Sequence, residues 1–463
     1  MPPATSATKH RFPLTGFWWA SFDWARSPYY YIVIIYVFSA YFAESVVGDS
    51  TRGQAIFSSI ATVAGLIMAV AAPFLGGFMD RGGAKKPVLF ALMLILAAAS
   101  AGLALVAPGV PYAIPLAGLL LVISSCAYTV SELFHNALLP AAGTPRDVPL
   151  ISGLGLSMGS GASVVALLIL IYLLNHPPAG LLEQDIARLS GAFCGAWILL
   201  FMAPFFLGMP DLHRPGASWR RARFLPETLR PMEMLRALFT GHPSMMRFLI
   251  ARMIFMDGLT ALFTIGAVYV AGVLGWSPAE TAAMGILATV SAVLGGLVGG
   301  VLDRLVGPRR AILIELFCIT AIFAFQVGMT KTTLLFGLVH LPVSASKTGM
   351  FANPTDVVYL LSIMPLSAFI IGAYSSCRSL LVALSPPDRI GQFFGIYAMT
   401  GTVTVWLGPG LVSVATMLSG SQRIGFGSLI ILFVLGSLLM LRVRDEPAAH
   451  GPSPETLMAP APQ

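Results

Sequence analysis

Charged residues interrupt this chain so rarely that the apolar runs between them are long enough to cross a bilayer. Residues 54–79 contain no Asp, Glu, Lys or Arg, and neither do residues 87–131, which fold back at Pro108-Gly109-Val110-Pro111. A membrane-spanning helix needs about 20 mostly apolar residues, so the second stretch holds two spans. A first span follows the Trp18-Trp19 pair and takes in the run Tyr29 to Phe42. The paired indoles suit a headgroup interface, and the run behind them is too interrupted and too late for a cleaved signal peptide. The pattern predicts a fifth span over 148–174, a sixth over 189–208, and six more over 246–273, 279–302, 310–330, 355–384, 390–418 and 423–441.

Composition agrees. The 463 residues are 57% apolar and 10% charged, with a mean hydropathy of +0.83, whereas soluble chains carry about 25% charge. Soluble, collagen-like, disordered and disulfide-framed architectures are excluded. Cys126, Cys194, Cys318 and Cys377 lie inside apolar segments without Cys-x-x-Cys spacing, the pattern of small core residues and not of a metal site. The spans hold no Gly-rich nucleotide loop and no nucleophile–base pair, so neither an enzyme nor a cofactor is expected.

Between Pro210 and Arg247 stand Arg214, Arg220, Arg221, Arg223, Arg230, Arg236 and Arg247 against Asp211, Glu227 and Glu233. This basic linker divides the chain. The expected organisation is an N-terminal tail (1–15), a six-helix half (16–209), the linker (210–245), a second six-helix half (246–443) and a disordered Pro/Ala-rich tail (444–463). With the N-terminus in the cytoplasm, nineteen Lys and Arg fall inside: Lys9, Arg11, Arg81, Lys85, Lys86, Arg146, the seven of the linker, Arg304, Arg309, Arg310, Arg389, Arg442 and Arg444. Five fall outside, namely Arg52, Arg188, Lys331, Lys347 and Arg423. That asymmetry satisfies the positive-inside rule for an inner-membrane protein with both termini cytoplasmic. It also explains the net charge of +7 without a nucleic-acid partner.

The two halves repeat one another. The loop after span 2 reads Gly76-x-x-x-Asp80-Arg81-x-Gly83-x-Lys85-Lys86, and the loop after span 8 reads Gly299-x-x-x-Asp303-Arg304-x-x-Gly307-x-Arg309-Arg310. Asn136-Ala-Leu-Leu stands 17 residues before Gly153, and Arg378-Ser-Leu-Leu stands 17 residues before Gly395. Such a loop brings two helices together, and its Asp either caps a helix N-terminus or pairs with arginines of the next helix. Either arrangement is a latch that holds one conformation and breaks in another.

With these loops and this duplication the chain resembles the major facilitator superfamily. Further segments resemble that superfamily's autophagy-related vacuolar effluxer branch and its bacterial relatives: Trp19-Ala-Ser-Phe-Asp-Trp-Ala-Arg-Ser-Pro-Tyr29, Asn136-Ala-Leu-Leu-Pro140, Asp257-Gly258, Arg378-Ser-Leu-Leu381, Phe393-Phe-Gly-Ile-Tyr397, Gly408-Pro409 and Gly420-Ser-Gln-Arg423. The resemblance implies an all-α membrane protein with twelve transmembrane helices in two pseudo-symmetric six-helix halves. It implies that spans 1, 4, 7 and 10 line a central cavity about which the halves rock, and that spans 2, 5, 8 and 11 pack between the halves. It also implies secondary transport by alternating access, with amino-acid efflux as the activity and a monomer as the working unit. Departures from the branch fall on cavity helices: Arg26 where Asn is usual, Met256 where Asn is common, and Thr402 for a frequent Lys. A non-transporting assembly or pigment-delivery factor, and a drug or organic-anion exporter, stay open on the same fold.

Charges inside spans are functional candidates by default. Glu132, His135 and Asn136 follow i, i+3, i+4 spacing on one face of span 4, as a proton or substrate site or as a structural hydrogen-bonded cluster. Asp257 lies near the bilayer midplane, with Arg26 the cation closest in depth. Asp257 or Glu132 is the expected proton carrier, Tyr30 is a candidate for the substrate path, and Glu315 is expected to pair with a latch arginine. Gly408-Pro409-Gly410 is expected to kink span 11. Asp23, Glu132, Arg252 and Arg378 all fall about 9–10 Å from the inner end of their spans at 1.5 Å per residue. They form an expected inner gate in which Arg378 pairs with Asp23 or Glu132 across the halves. In the alternative, each charge is neutralised within its own half.

The charge count fixes a topology that reporter fusions test: fusions after Leu182 and Ala352 should read external, and those after Gly216 and Ala448 internal. An external signal after Gly216 overturns the assignment.

Overall fold

Each apolar run becomes a helix, and the ends fall where the chain supplies a cap or a proline. The computed structural model describes residues 12–178, 180–211, 241–276, 278–341, 350–386, 389–401, 404 and 406–444. The tail through Arg11, residues 212–240 of the linker, Lys347, Thr402 and the Pro/Ala-rich tail lie outside the described residues. The N-terminal half contains α1 (Leu14–Val46), α2 (Ser50–Arg81), α3 (Lys85–Leu105), α4 (Ala113–Ala137), α5 (Val148–Asn175) and α6 (Glu183–Gly208). The second half contains α7 (Pro243–Leu274), α8 (Pro278–Val306), α9 (Pro308–Val327), α10 (Pro354–Leu384), α11 (Ile390–Thr400), α12 (Leu407–Ser419) and α13 (Gln422–Leu441). Among the described residues ten helices are long and apolar enough to span a membrane, and the bent α2 makes eleven. A two-stranded hairpin, β1 (Thr333–Leu334) and β2 (Val339–His340), connects α9 to α10.

Local chemistry explains the boundaries. Asp49 caps α2 by accepting the Arg52 amide at 2.7 Å, which satisfies one of the orphan donors of a first turn. At the start of α10 the Asp356 carboxylate accepts from the Asn353 backbone amide at 3.2 Å and from its side-chain amide at 2.9 Å. Gly307 turns α8 into α9 at φ +85°, a backbone angle that side chains disfavour. Within α1, Pro28 has no amide to offer the Trp24 carbonyl. The Trp197 indole of α6 fills that place at 3.0 Å, and the helix continues with π winding over Tyr30–Tyr36.

The eleventh predicted span differs from expectation. Its residues form α11 and α12 with a break between Thr400 and Leu407, so the break lies ahead of Gly408-Pro409 and not at it. Pro409 sits in the first turn of α12, where a missing amide costs no intrahelical bond.

The halves meet along two related seams, α5 with α8 and α2 with α11, which are spans 5, 8, 2 and 11. Small residues let the backbones touch. A methyl group at Gly296 would lie 2.5 Å from the Gly153 carbonyl oxygen, and one at Gly300 would lie 2.8 Å from that of Pro149. In the second seam, a methyl group at Gly76 would lie 2.5 Å from the Gly391 carbonyl oxygen, and one at Gly395 would lie 2.5 Å from that of Ala72. Ser157 Oγ donates to the Val293 carbonyl at 2.6 Å across the first seam. Both seams occupy the part of the bundle nearer the basic loops, so that end is closed.

Bulk in a seam should therefore open this end. Overpacking costs about 1–3 kcal/mol, so Gly296→Val should lower the closed population about fivefold to a hundredfold. Spin labels at Arg146 and Leu305 should then report a longer distance component, and an unchanged distribution would contradict the packing described.

Candidate functional site

On α1, Asp23 and Arg26 are three positions apart and share a face. Arg26 Nη2 donates to Asp23 Oδ1 at 3.1 Å, while Nη1 donates to the Tyr128 carbonyl oxygen at 3.2 Å and to Glu132 Oε2 at 3.4 Å. The guanidinium lies 4.2 Å from the centroid of the Tyr128 ring. The Glu132 side chain is 42% exposed, so water reaches this set of charges at that carboxylate. Tyr30, 43% exposed, stacks on Tyr128 at 5.8 Å and adds an aromatic wall to the same opening.

Asp23 also faces the other half. Arg378 of α10 brings Nη1 within 3.6 Å of Asp23 Oδ2. The same guanidinium donates from Nη2 to the Ser152 carbonyl at 2.7 Å, from Nε to Ser152 Oγ at 3.2 Å, and from Nη1 to Asn136 Oδ1 at 3.4 Å. Its carbon lies 5.3 Å from the Trp19 ring. Residues of α1, α4 and α5 together hold one cation of the opposite half. Glu132, Arg26, Asp23 and Arg378 alternate in charge from solvent to seam.

His135 does not join the opening. Its buried ring stacks on Trp19 at 4.0 Å and on Phe22 at 4.4 Å, with Nε2 2.9 Å from the Trp19 carbonyl. Trp19 Nε1 donates to the His135 carbonyl at 3.0 Å in return, so the histidine ties α1 to α4. Adjacent positions on a helix differ by about 100°. Of the expected trio, Glu132 therefore meets solvent, Asn136 meets Arg378 and His135 meets the core.

The remaining predicted charges serve the second half. Arg252 Nη1 donates to the Tyr397 carbonyl and to Thr400 Oγ1, both at 2.9 Å, and its guanidinium lies 3.4 Å from the Tyr397 ring centroid. It anchors α11 to α7, and among the described residues it forms no hydrogen bond or ion pair across the halves. Asp257 is buried against the α11–α12 break, where a methyl group at Gly408 would lie 2.6 Å from the Asp257 carbonyl oxygen. Its Oδ2 has no hydrogen-bond partner. Arg26 does not neutralise it: equal depth on spans 1 and 7 leaves the two in different halves, and Arg26 is taken by Asp23 and Glu132. Glu315 likewise meets no latch arginine; it accepts from Ser376 Oγ at 3.2 Å, while Arg309 Nη2 donates to the Leu441 carbonyl at 2.9 Å.

The two latch loops are in different states. Asp80 accepts the Gly391 amide at 2.7 Å and the Gln392 amide at 2.6 Å, so a carboxylate of the first half caps a helix of the second and meets its positive dipole end. Gly76 lets the backbones approach there. Gly83 precedes α3, where the amides of Lys85 and Lys86 donate to Asp211 at 2.9 and 3.0 Å and Lys86 Nζ donates to the Met209 carbonyl. In the second copy Gly299 packs on Gly372, but Asp303 is buried with neither oxygen hydrogen-bonded. Arg304 and Arg310 are exposed.

Residues 45–147 and 146–450 match the profile of the family described as "Vacuole effluxer Atg22 like". The chain belongs to this family. It is 24% identical over 440 residues to the uncharacterized MFS-type transporter YxiO of Bacillus subtilis, covering 92% of this chain and 94% of that one. It is 25% identical over 350 residues to autophagy-related protein 22 of Eremothecium gossypii, covering 69% of this chain and 63% of the relative. Among solved structures the fold is similar to the human organic anion transporter MFSD10, with a TM-score of 0.66 at 13% identity over 92% and 98% of the two chains. It is also similar to a bacterial homologue of the iron transporter ferroportin in an outward-facing state, with a TM-score of 0.64 at 12% identity over the same shares. The fold is that of the major facilitator superfamily, and the chain is a membrane transporter and not an enzyme.

Three participants were not among the expected site residues. Tyr128 lies four positions before Glu132, on the same face of α4, so helical spacing already marked it. Trp19 likewise lies four positions before Asp23 on α1, whereas Ser152 carried no such signal, because a serine in a Gly/Ser-rich span is common for other reasons.

Removing one partner of a buried ion pair costs about 3–5 kcal/mol, which moves a two-state balance by a hundredfold or more. Arg378→Ala should accordingly expose the closed end while expression holds, read as modification of Cys377 in a protein with no other cysteine. Cys377 stays unreactive in that variant if Arg378 serves folding alone.

Proposed function

We propose that this chain is a secondary transporter of the inner membrane that exports a small amino-acid-like solute by alternating access, with protons as the coupling ion. The observation that carries the reading is the alternating chain of Glu132, Arg26, Asp23 and Arg378, which connects a solvent-exposed carboxylate to the contact between halves. An ammonium group arriving at Glu132 competes with Arg26 for that carboxylate. Arg26 released from Glu132 binds Asp23 more fully, Asp23 holds Arg378 less, and the seam loosens. A ligand thereby acts on the gate through differential contacts in the two states, as any ligand-driven change requires. The distribution of Lys and Arg supports a cytoplasmic location for both termini and the basic linker.

The substrate class follows from which charges are free. Among the described residues the guanidiniums of Arg26, Arg252 and Arg378 are all engaged, whereas Glu132 is half-exposed beside Tyr30 and Tyr128. An organic anion would find no uncommitted cation. An amino acid offers its amine to Glu132 and its side chain to the aromatic wall of Tyr30 and Tyr128. The description of the family as effluxers supports the direction. Asp257, with an unbonded carboxylate oxygen on a cavity helix, is assigned the transported proton.

Proteoliposomes of the pure protein should exchange neutral amino acids, and a pH gradient should drive their accumulation. Asp257→Asn should keep exchange at equal pH and lose the response to the gradient. Glu132→Gln should cut exchange at least tenfold, since a charge-assisted hydrogen bond of about 1.5–3 kcal/mol is removed. A protein that moves no amino acid in either mode is an assembly factor or carries another solute, and the proposal then fails.

A further inference from the structure

The two latch copies diverge at a second acid. Six residues beyond the first of the paired basic residues that close each loop, Lys85 and Arg309, the N-terminal half has Ala91 and the other half has Glu315. Asp303 is 1% exposed and Glu315 is 0% exposed. Both Asp303 oxygens and Glu315 Oε2 lack a hydrogen-bond partner, and Glu315 Oε1 accepts only from Ser376. The two carboxyl groups lie within electrostatic reach of each other, with Ser379 beside Asp303. The backbone closes the pocket: Gly299 packs on Gly372, where a methyl group would lie 2.6 Å from Glu315 Oε1.

Among the described residues no cation forms an ion pair with either of them. On α10 the neighbouring groups are Ser376, Ser379, the Cys377 thiol and Arg378, whose guanidinium is turned to Ser152, Asn136 and Asp23. Helix α5, packed on α8, has no charged residue over 148–175, and the Asp147 ahead of it accepts from Thr144. Helix α9 offers the Cys318 thiol, the exposed Arg310, and Arg309, which reaches the Leu441 carbonyl. Arg304 beside Asp303 on α8 is exposed. Two ionised carboxylates without a counter-charge are strongly disfavoured in such a place. Calcium and magnesium take about six or more oxygen ligands, and no group of three or more His, Cys, Asp or Glu suited to a metal occurs among the described residues. A proton needs only one acceptor oxygen and one shared neighbour.

We propose that Asp303 and Glu315 form a proton-binding site at the α5–α8 seam, outside the central cavity, that holds a proton while the seam is closed and releases it to water when the seam opens. The release point follows from position, since Asp303 lies one turn beyond Gly299 and Gly300, and Gly300 abuts Pro149 of α5. Separating α5 from α8 removes the cover over Asp303, water enters, and the neutral acid dissociates into carboxylate and hydrated proton. The site rests on the alternating-access reading and gives it a pH sensor distinct from Asp257. The sign is fixed: the closed state binds one more proton than the open state, so acid favours closure. Between the pH values at which the open and the closed pair release that proton, the open-to-closed ratio rises about tenfold per pH unit.

The test needs no substrate, so it is independent of the transport assay. Full-length protein in nanodiscs carries spin labels at positions 146 and 305, and distance distributions are recorded across a pH series in sodium-free buffer. The wild type should open with rising pH along the stated slope, Glu315→Gln should displace the midpoint, and Asp303→Asn with Glu315→Gln should be flat and closed. Infrared difference spectra of the unlabelled, unmutated protein give a second readout that does not depend on variants folding: a protonated-carboxyl stretch present in the closed state should disappear as the seam opens. Unaltered pH dependence in the double variant, or no protonated-carboxyl band in the closed state, overturns the proposal. So does a closed population that follows added sodium at fixed pH, which would assign the site to a metal cation.

Discussion

A guanidinium buried between two apolar half-molecules is the constraint from which most of this structure follows. Charge in a bilayer interior is tolerated only where it is matched and hydrogen-bonded, and Arg378 finds none of its matches in its own half. Ser152, Asn136, Asp23 and the Trp19 face all belong to the other. Satisfying that one side chain fixes the relative position of α10 against α1, α4 and α5. The approach is possible only because α5 meets α8 through Gly153, Gly296 and Gly300, where larger side chains would hold the backbones apart. In the proposed gate the two act together: the glycines permit the distance, and the arginine gives the distance an electrostatic consequence.

Duplication supplied two such seams, and they have diverged in how they treat charge. At α2 the Asp80 carboxylate is offset by two amides at the α11 N-terminus, a permanent partial charge that needs no proton. At α8 the equivalent Asp303 receives no amide and is joined by Glu315. Related loop patterns in two halves therefore carry different physics, decided at Asp80 by the amides of α11 and at Asp303 by Glu315 of the following helix.

Hydropathy gave the helices and their order, because a span must satisfy its own backbone and can do so only as a helix. The seam glycines and the gate arginine also stood out, the former by density and the latter by the cost of charge in lipid. Lateral neighbours did not. Depth along a span is a linear coordinate, and it grouped Arg26 with Asp257 and Arg252 with Arg378, although rotation about each helix sends Arg252 to Tyr397 and Thr400 and sends Arg26 to Asp23 and Glu132. His135 was drawn to the opening by spacing and taken from it by Trp19. The π winding after Pro28 depends on which neighbour fills a vacated carbonyl, and a single sequence does not encode that partner by proximity.

What remains is the order of the four charges. Asp23 accepts from Arg26 at 3.1 Å and stands 3.6 Å from Arg378, so the two guanidiniums share one carboxylate unequally. Arg26 meets Oδ1 and Arg378 faces Oδ2, so the two cations draw on the charge of one carboxylate and their energies are interdependent. Glu132 sets how far Arg26 leans away from Asp23, and Glu132 is the only member that solvent reaches freely. Information can enter this chain at one end alone. A fully buried quartet would be equally stable and could hold the halves together, but nothing arriving from water could loosen it. The half-exposure of Glu132 is what separates a gate from a weld.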